Sequence, residues 1–144
     1  MSSVDVSADI EIAADPTDVA AIMFDPQREK DWIEAVRAVD LIDPALAPGA
    51  RVRHHGVLMG REISWTTEVE TVHFPHVLAL RITEGPFIGT VRYDVQRSGT
   101  GTRARVRNVG SAAALGFLPA AMIEGPMRAT LTADLSRLKS LVEA

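Results

Sequence analysis

The sequence predicts an α+β fold in which a large antiparallel sheet is followed by one long C-terminal helix. Residues 51–108 read as successive hairpins whose apolar and polar faces agree across every turn. Residues 127–142 carry an apolar stripe at helical spacing. A shift of one residue at any turn would exchange the two faces of a strand, so this agreement favours the sheet.

The N-terminal part predicts a strand, two short helices and a second strand. Val4–Ile12 alternates between apolar and polar residues, as a strand with one buried face does. The Asp-Pro pair at residues 15–16 ends that strand and starts a helix, with the aspartate as N-cap and the proline in the first helical position. A second Asp-Pro pair, at residues 25–26, opens a short helix that ends near Trp32. We expect a strand over Val36–Ile42 after it.

Four turns, at residues 59–60, 74–75, 85–86 and 98–101, divide the hairpin region into five strands. With the two N-terminal strands this makes a seven-stranded sheet. The predicted registers give these inner-face pairs: His54 with Trp65, Thr71 with Leu78, Val69 with Leu80, Leu80 with Tyr93, Ile82 with Val91, Tyr93 with Val106, and Val91 with Asn108.

The C-terminal stripe of Met127, Leu131, Leu135 and Leu138 predicts a helix of four or five turns that packs on the concave face of the sheet. We expect residues 118–124 to be helical as well, with a kink or a break at Gly125-Pro126 because proline removes an intrahelical hydrogen bond.

Composition excludes several classes of function. The 144 residues include no cysteine, which excludes disulfides, thiolate metal sites and a cysteine nucleophile. The net charge of −4, with arginines interleaved with acids, argues against binding to nucleic acid. No apolar run approaches a membrane span, and the first residues lack the pattern of a signal peptide, so we expect a cytoplasmic protein. Two lysines among many alanines, valines and arginines are typical of a high-GC bacterium.

The chain resembles the START-like (SRPBCC) helix-grip superfamily, in its polyketide cyclase/dehydrase and lipid-transport branch. The segments that carry the resemblance are Val6–Ile12 with Ala14–Val19, Trp32, Trp65–Val69 with Pro75 beyond it, Gly85–Phe87, Gly101–Arg103 and the leucine-rich terminal helix. The resemblance implies one domain over residues 1–144, in which a curved seven-stranded sheet wraps around the last helix and leaves an apolar cavity. Members include aromatase/cyclases, lipid carriers, quinone-binding proteins and plant hormone receptors, so the fold leaves the function open.

Polar residues on the predicted inner face are the first candidates for a site. The registers place His54, Trp65 and Glu84 in a row across neighbouring strands, with Asn108 near the same end. A neutral polar group buried without a hydrogen bond costs roughly 2–7 kcal/mol, so these side chains need a partner. In one interpretation the partner is a bound ligand. In the other, His54 bonds to a neighbouring side chain, Trp65 belongs to the core and Glu84 is solvated.

Three further residues complete the predicted ligand-binding set. Phe87 follows Gly85-Pro86 at a loop tip, where it would cap a cavity mouth. Tyr93 lies on the inner face, and Met122 suits an adaptable cavity wall. No metal or cofactor site is expected: His54 and His55 point to opposite faces, and no acid joins His73 and His76 at useful spacing.

Three functions follow from these patterns. The first is binding of a small hydrophobic molecule, a lipid, a polyketide or an isoprenoid-like compound, between the sheet and the C-terminal helix. The second is a polyketide cyclase or dehydratase, in which His54 or Glu84 provides acid–base catalysis and Tyr93 or Asn108 holds an enolate oxygen. The third is a module that binds a protein partner and has no ligand. The oligomeric state and the ligand stay open.

Overall fold

The computed structural model describes residues 3–112 and 118–144. The strands are β1 (Val4–Ile12), β2 (Val36–Leu41), β3 (Arg51–Leu58), β4 (Arg61–His73), β5 (Val77–Glu84), β6 (Ile88–Ser98) and β7 (Gly101–Ser111). The helices are α1 (Pro16–Met23), a 3₁₀ turn (Pro26–Arg28) that leads directly into α2 (Glu29–Trp32), and α3 (Ala120–Glu143). The strands form one antiparallel sheet in the order β1-β7-β6-β5-β4-β3-β2. The predicted α+β helix-grip architecture is therefore confirmed.

Two of the predicted hairpin registers are confirmed in full, and two need correction. His54 faces Trp65 between β3 and β4, and Val91 faces Asn108 between β6 and β7, both as predicted. Between β4 and β5 an irregularity near Glu70 adds one residue, so Leu78 faces Val72 and not Thr71.

The register between β5 and β6 differs from the prediction by two residues. Leu80 faces Val91 and Ile82 faces Gly89, whereas the sequence predicted Tyr93 and Val91 as their partners. Gly89 also faces Gly110 on β7, and a Cβ atom added to Gly89 would lie 2.0 Å from the carbonyl oxygen of Val109. Pairing therefore includes a glycine, which adds no side chain to the alternating pattern. As a result, Tyr93 lies opposite Leu78, farther from the Trp65 end.

Helix α3 is one helix from Ala120 to Glu143 and is not broken at Pro126. It begins after Pro119, so the prediction that residue 118 is helical is wrong. The helix runs along β1, where the carboxylate of Glu124 accepts a hydrogen bond from the Asp5 amide (3.1 Å) and that of Glu143 accepts one from the Ala13 amide (2.8 Å). Among the described helices, none is both long enough and apolar enough to cross a membrane.

On the outer face of the sheet, the arginines of β7 form ion pairs with β1. Arg103 Nε lies 2.9 Å from the carboxylate of Glu11, and Arg107 Nε lies 2.8 Å from that of Asp5. The hydrogen bond from Arg107 lowers the pKa of the Asp5 carboxyl. Arg103 and Arg107 are thus paired with acids across the sheet, and Arg105 donates to the hydroxyl of Ser7 (3.2 Å).

The two halves of the inner face are covered by different elements. On the half that we call the α3 side, β1 and β7 pack against α3, and Ile12, Leu135 and Leu138 are at most 1% exposed. On the other half, which we call the α1 side, residues of β3, β4 and β5 surround an open space together with residues of α1, the 3₁₀ turn and the loop of residues 42–50. The predicted stripe of α3 therefore covers only part of the sheet.

Candidate functional site

A cavity of about 240 Å³ lies on the α1 side. Much of its wall is apolar and includes Met23, Phe24, Val52, Val69, Leu78 and Leu80. No described residue of α3 lines it, although the sequence predicted a cavity between the sheet and that helix. The elements opposite this part of the sheet contribute several alanines, among them Ala20, Ala45 and Ala50, beside the larger Met23, Phe24 and Leu46.

A buried histidine lies behind the cavity wall. His54 on β3 is 2% exposed, and its Nδ1 donates to the Glu29 carboxylate at 2.8 Å. Its Nε2 lies 2.9 Å from the hydroxyl oxygen of Thr67 on β4. The imidazole also stacks on the ring of Trp65, with 5.1 Å between ring centroids and 3° between planes. Both ring nitrogens are therefore engaged inside the protein, and Glu29 and Thr67 separate the histidine from the cavity that they line.

Glu29 is the functional candidate that sequence reasoning missed. It is the first residue of α2, only 7% exposed, and it lines the cavity. A charged residue in a short helix is usually solvated, so no pattern in the sequence predicted a buried position for Glu29. One signal was present: Glu29 precedes the buried Trp32 by three residues, and residues three apart lie on the same face of a helix.

Helix α2 is fixed in place by a polar contact with α3. The buried carboxylate of Asp134 accepts hydrogen bonds from the Glu34 amide (3.2 Å) and from the Arg137 guanidinium. Arg137 Nε also donates to the carbonyl oxygen of Trp32 at 3.0 Å. Burial raises the pKa of Asp134, because water no longer stabilises its charge. This junction holds the end of the short helix that carries Glu29.

Tyr93 on β6 is an aromatic residue of the cavity wall. Its ring stacks on Phe24, with 6.3 Å between centroids, and meets the ring of Trp32 edge to face at 5.9 Å. Burial raises the pKa of Tyr93 well above its usual value, and the carboxylates of Glu29 and Asp134 raise it further. The phenol therefore stays protonated at neutral pH. Within the described part of the chain, its hydroxyl makes no hydrogen bond.

The structure separates the remaining predicted residues from this cluster. Glu84 is exposed at the end of β5. Phe87 packs with the buried pair Val4 and Ile123 on the α3 side. Met122 is 61% exposed, on the first turn of α3.

Asn108 lies between Val6 and Val91 on the inner face, and its side-chain oxygen is buried with no partner among the described residues. Of the predicted set, His54 and Trp65 are in contact and Tyr93 reaches the cavity, whereas Glu84, Phe87, Asn108 and Met122 lie elsewhere. Their roles in ligand binding stay predictions. Among the described residues, no group of three histidine, aspartate or glutamate side chains is placed to hold a metal ion.

Comparison with known proteins gives a family match and several similar folds. Residues 3–143 match the family model described as polyketide cyclase / dehydrase and lipid transport. A START superfamily protein from Mycobacterium smegmatis superposes with a TM-score of 0.84, at 18% identity over 96% of this chain and 97% of that one. The Zhui aromatase/cyclase from a Streptomyces species gives a TM-score of 0.81, at 19% identity over 99% and 94%. A protein from Thermus thermophilus gives 0.81, at 21% over 96% of each chain. No curated protein matches the sequence. Because these structures are only 18–21% identical in sequence to this chain, their similarity shows that the chain shares their fold.

Proposed function

We propose that this chain, which belongs to the polyketide cyclase/dehydrase and lipid transport family, binds a small hydrophobic molecule in the cavity on the α1 side. The observation that carries the proposal is the cavity itself, whose wall joins apolar side chains to a few polar groups, as ligand sites generally do. Burial of apolar surface yields about 25 cal/mol per Å², so hydrocarbon contact alone provides useful affinity.

The size of the cavity limits the ligand. An engineered cavity of about 150 Å³ in another protein accepts benzene. The cavity here, of about 240 Å³, has room for one or two rings or a short branched chain. Phe74 and Leu46 line it and are 53% and 38% exposed, which places apolar side chains where the cavity meets solvent. A compact isoprenoid or aromatic molecule fits this description better than a long-chain lipid.

The surroundings of His54 favour binding over acid–base catalysis. A general base needs a ring nitrogen about 2.6–3.2 Å from the proton that it removes. Both nitrogens of His54 already have partners in the protein, at 2.8 and 2.9 Å. The histidine therefore orients Glu29 and Thr67, the groups that line the cavity.

One observation favours a cyclase or dehydratase as the second candidate. The protonated hydroxyl of Tyr93 is free to donate a hydrogen bond to an enolate oxygen of a substrate in the cavity. The acid–base roles of His54 and Glu84, a partner-binding function and a cytoplasmic location stay predictions.

Native mass spectrometry of the protein purified from its own host, followed by organic extraction, tests the proposal. We expect a stoichiometric hydrophobic passenger that is lost from Ala50→Leu, because the larger side chain fills the cavity that Ala50 lines. Ala129→Leu, at an exposed position of α3, is the matched control and should keep the passenger. A protein that carries nothing and binds none of a panel of lipids, quinones and polyketides would refute the proposal.

A further inference from the structure

The charged groups around the cavity are all of one sign. Three carboxylates, those of Asp25, Glu29 and Asp43, belong to its wall. The described residues that line it include no lysine, arginine or histidine. A wall of this kind is unfavourable for an anion, since like charges brought together repel and no cation is available to compensate.

Two basic side chains contact carboxylates of the cavity wall, and both are engaged there. Arg51 donates from its backbone amide (3.0 Å) and its Nε (3.2 Å) to the carboxylate of Asp43. The backbone hydrogen bond from Arg51, followed by that of its side chain, lowers the pKa of Asp43, which is thus ionised at neutral pH. His54 is engaged through both ring nitrogens, with Glu29 and with Thr67. An anionic ligand would have to break one of these contacts to gain Arg51 or His54 as its own partner.

Glu29 provides a second, independent observation that points to a ligand. Its side chain is more than nine-tenths buried and lines the cavity. One carboxylate oxygen accepts from His54, and the other has no hydrogen-bond partner among the described residues. A carboxylate oxygen can only accept, so its natural partner is a donor on the ligand. Tyr93 lines the same cavity, and its hydroxyl is a hydrogen-bond donor.

From this arrangement we infer that the ligand carries a hydrogen-bond donor, a hydroxyl or a protonated amine, that binds Glu29, and that it carries no negative charge. The inference rests on the proposed function and narrows it. Within the family's range of hydrophobic ligands, it selects alcohols, phenols and amines and rejects fatty acids and other anionic lipids.

Three probes with one skeleton test the inference: naphthalene bearing a hydroxymethyl, an aminomethyl or a carboxylate group. Calorimetric titration of the wild-type protein measures Kd for each probe. The Kd of the carboxylate probe should be at least about tenfold higher than that of the hydroxymethyl or aminomethyl probe, whichever binds more tightly. Equal binding of all three would overturn the inference and leave the proposed function intact. Binding of none of them would overturn both.

The variant Glu29→Gln tests whether Glu29 is the residue that disfavours the carboxylate probe. The amide keeps an acceptor for His54 and removes the charge, so the carboxylate probe should bind more tightly than it does to wild type, while the aminomethyl probe binds more weakly. Glu34→Gln, an exposed position next to α2, is the matched control and should behave as wild type. If Glu29→Gln fails to fold, the wild-type series still decides. An unchanged ranking in folded Glu29→Gln would contradict the role of Glu29.

Discussion

The two halves of the inner face belong to the same sheet, but one half is filled by side chains and the other borders a cavity. On the α3 side, Leu135 and Leu138 meet Val95 and Ala104, and all four are fully buried. On the α1 side, the strands carry residues of similar size, and the elements opposite them contribute alanines and prolines beside Met23, Phe24 and Leu46, with a cavity between. The alternation of the strands is the same in both halves. The pattern of the sheet therefore does not by itself decide which half is filled and which keeps a cavity.

The largest expected effect compares one substitution in each half. Leu135→Ala should cost about 4 kcal/mol of unfolding free energy, because it opens a new cavity in a filled core. Leu80→Ala should cost about 2 kcal/mol, because Leu80 already borders open space. Chemical denaturation of the two variants measures the difference. Equal losses would mean that the α1 side is as tightly packed as the α3 side.

The buried histidine and its neighbour form the second comparison. His54→Ala should destabilise the protein by about 3 kcal/mol, because it leaves the carboxylate of Glu29 buried without its partner. His55→Ala removes a solvent-exposed contact with Asp40 on the outer face and should change stability by less than about 0.5 kcal/mol. Urea denaturation at neutral pH gives both values. A small loss for His54→Ala would show that the Glu29 carboxylate is well solvated without the imidazole.

The smallest effect concerns Asp134, which joins α2 to α3. Its pKa is raised from the ordinary value of 3.8, so the folded state binds this proton more tightly than the unfolded state does. The contribution of Asp134 to stability therefore declines as the pH rises from about 3.8 through its folded pKa. The stability of wild type relative to Asp134→Asn should fall over that range, as measured by urea denaturation at several pH values. A difference that is constant with pH, or that grows, would contradict the shift.

Much of the fold was predictable because strict alternation and short turns fix the pairing of neighbouring strands. His54 opposite Trp65 and Asn108 opposite Val91 follow from that pattern alone. The inner position of His54 was predictable in the same way. The register between β5 and β6 was not predictable, because Gly89 pairs with Ile82 without adding a side chain to the alternating pattern.

The site itself was less predictable. Glu29, the partner of His54, belongs to α2, and nothing in the strand pattern predicts that α2 lies against β3. Ala20 and Ala50 line the cavity and carry too little hydrophobic signal for the sequence to mark them as its wall. In the observed register Tyr93 faces Leu78 rather than Leu80, so it lies farther from Trp65 than the sequence predicted, and it lines the cavity. The strand pattern therefore located one side of the site, and the covering elements determine the rest.

The most direct test of the account is to find which side of the inner face a ligand occupies, and the five methionines provide the probes. Met23 lines the cavity, Met122 and Met127 lie at the start of α3, and Met59 is exposed at the β3–β4 turn. Proton–carbon spectra of methyl-labelled methionine would be recorded during titration with hydroxymethylnaphthalene. If the ligand binds on the α1 side, the Met23 signal shifts while those of Met59, Met122 and Met127 stay in place. Shifts at Met122 and Met127 without one at Met23 would place the ligand on the α3 side and refute binding in the cavity.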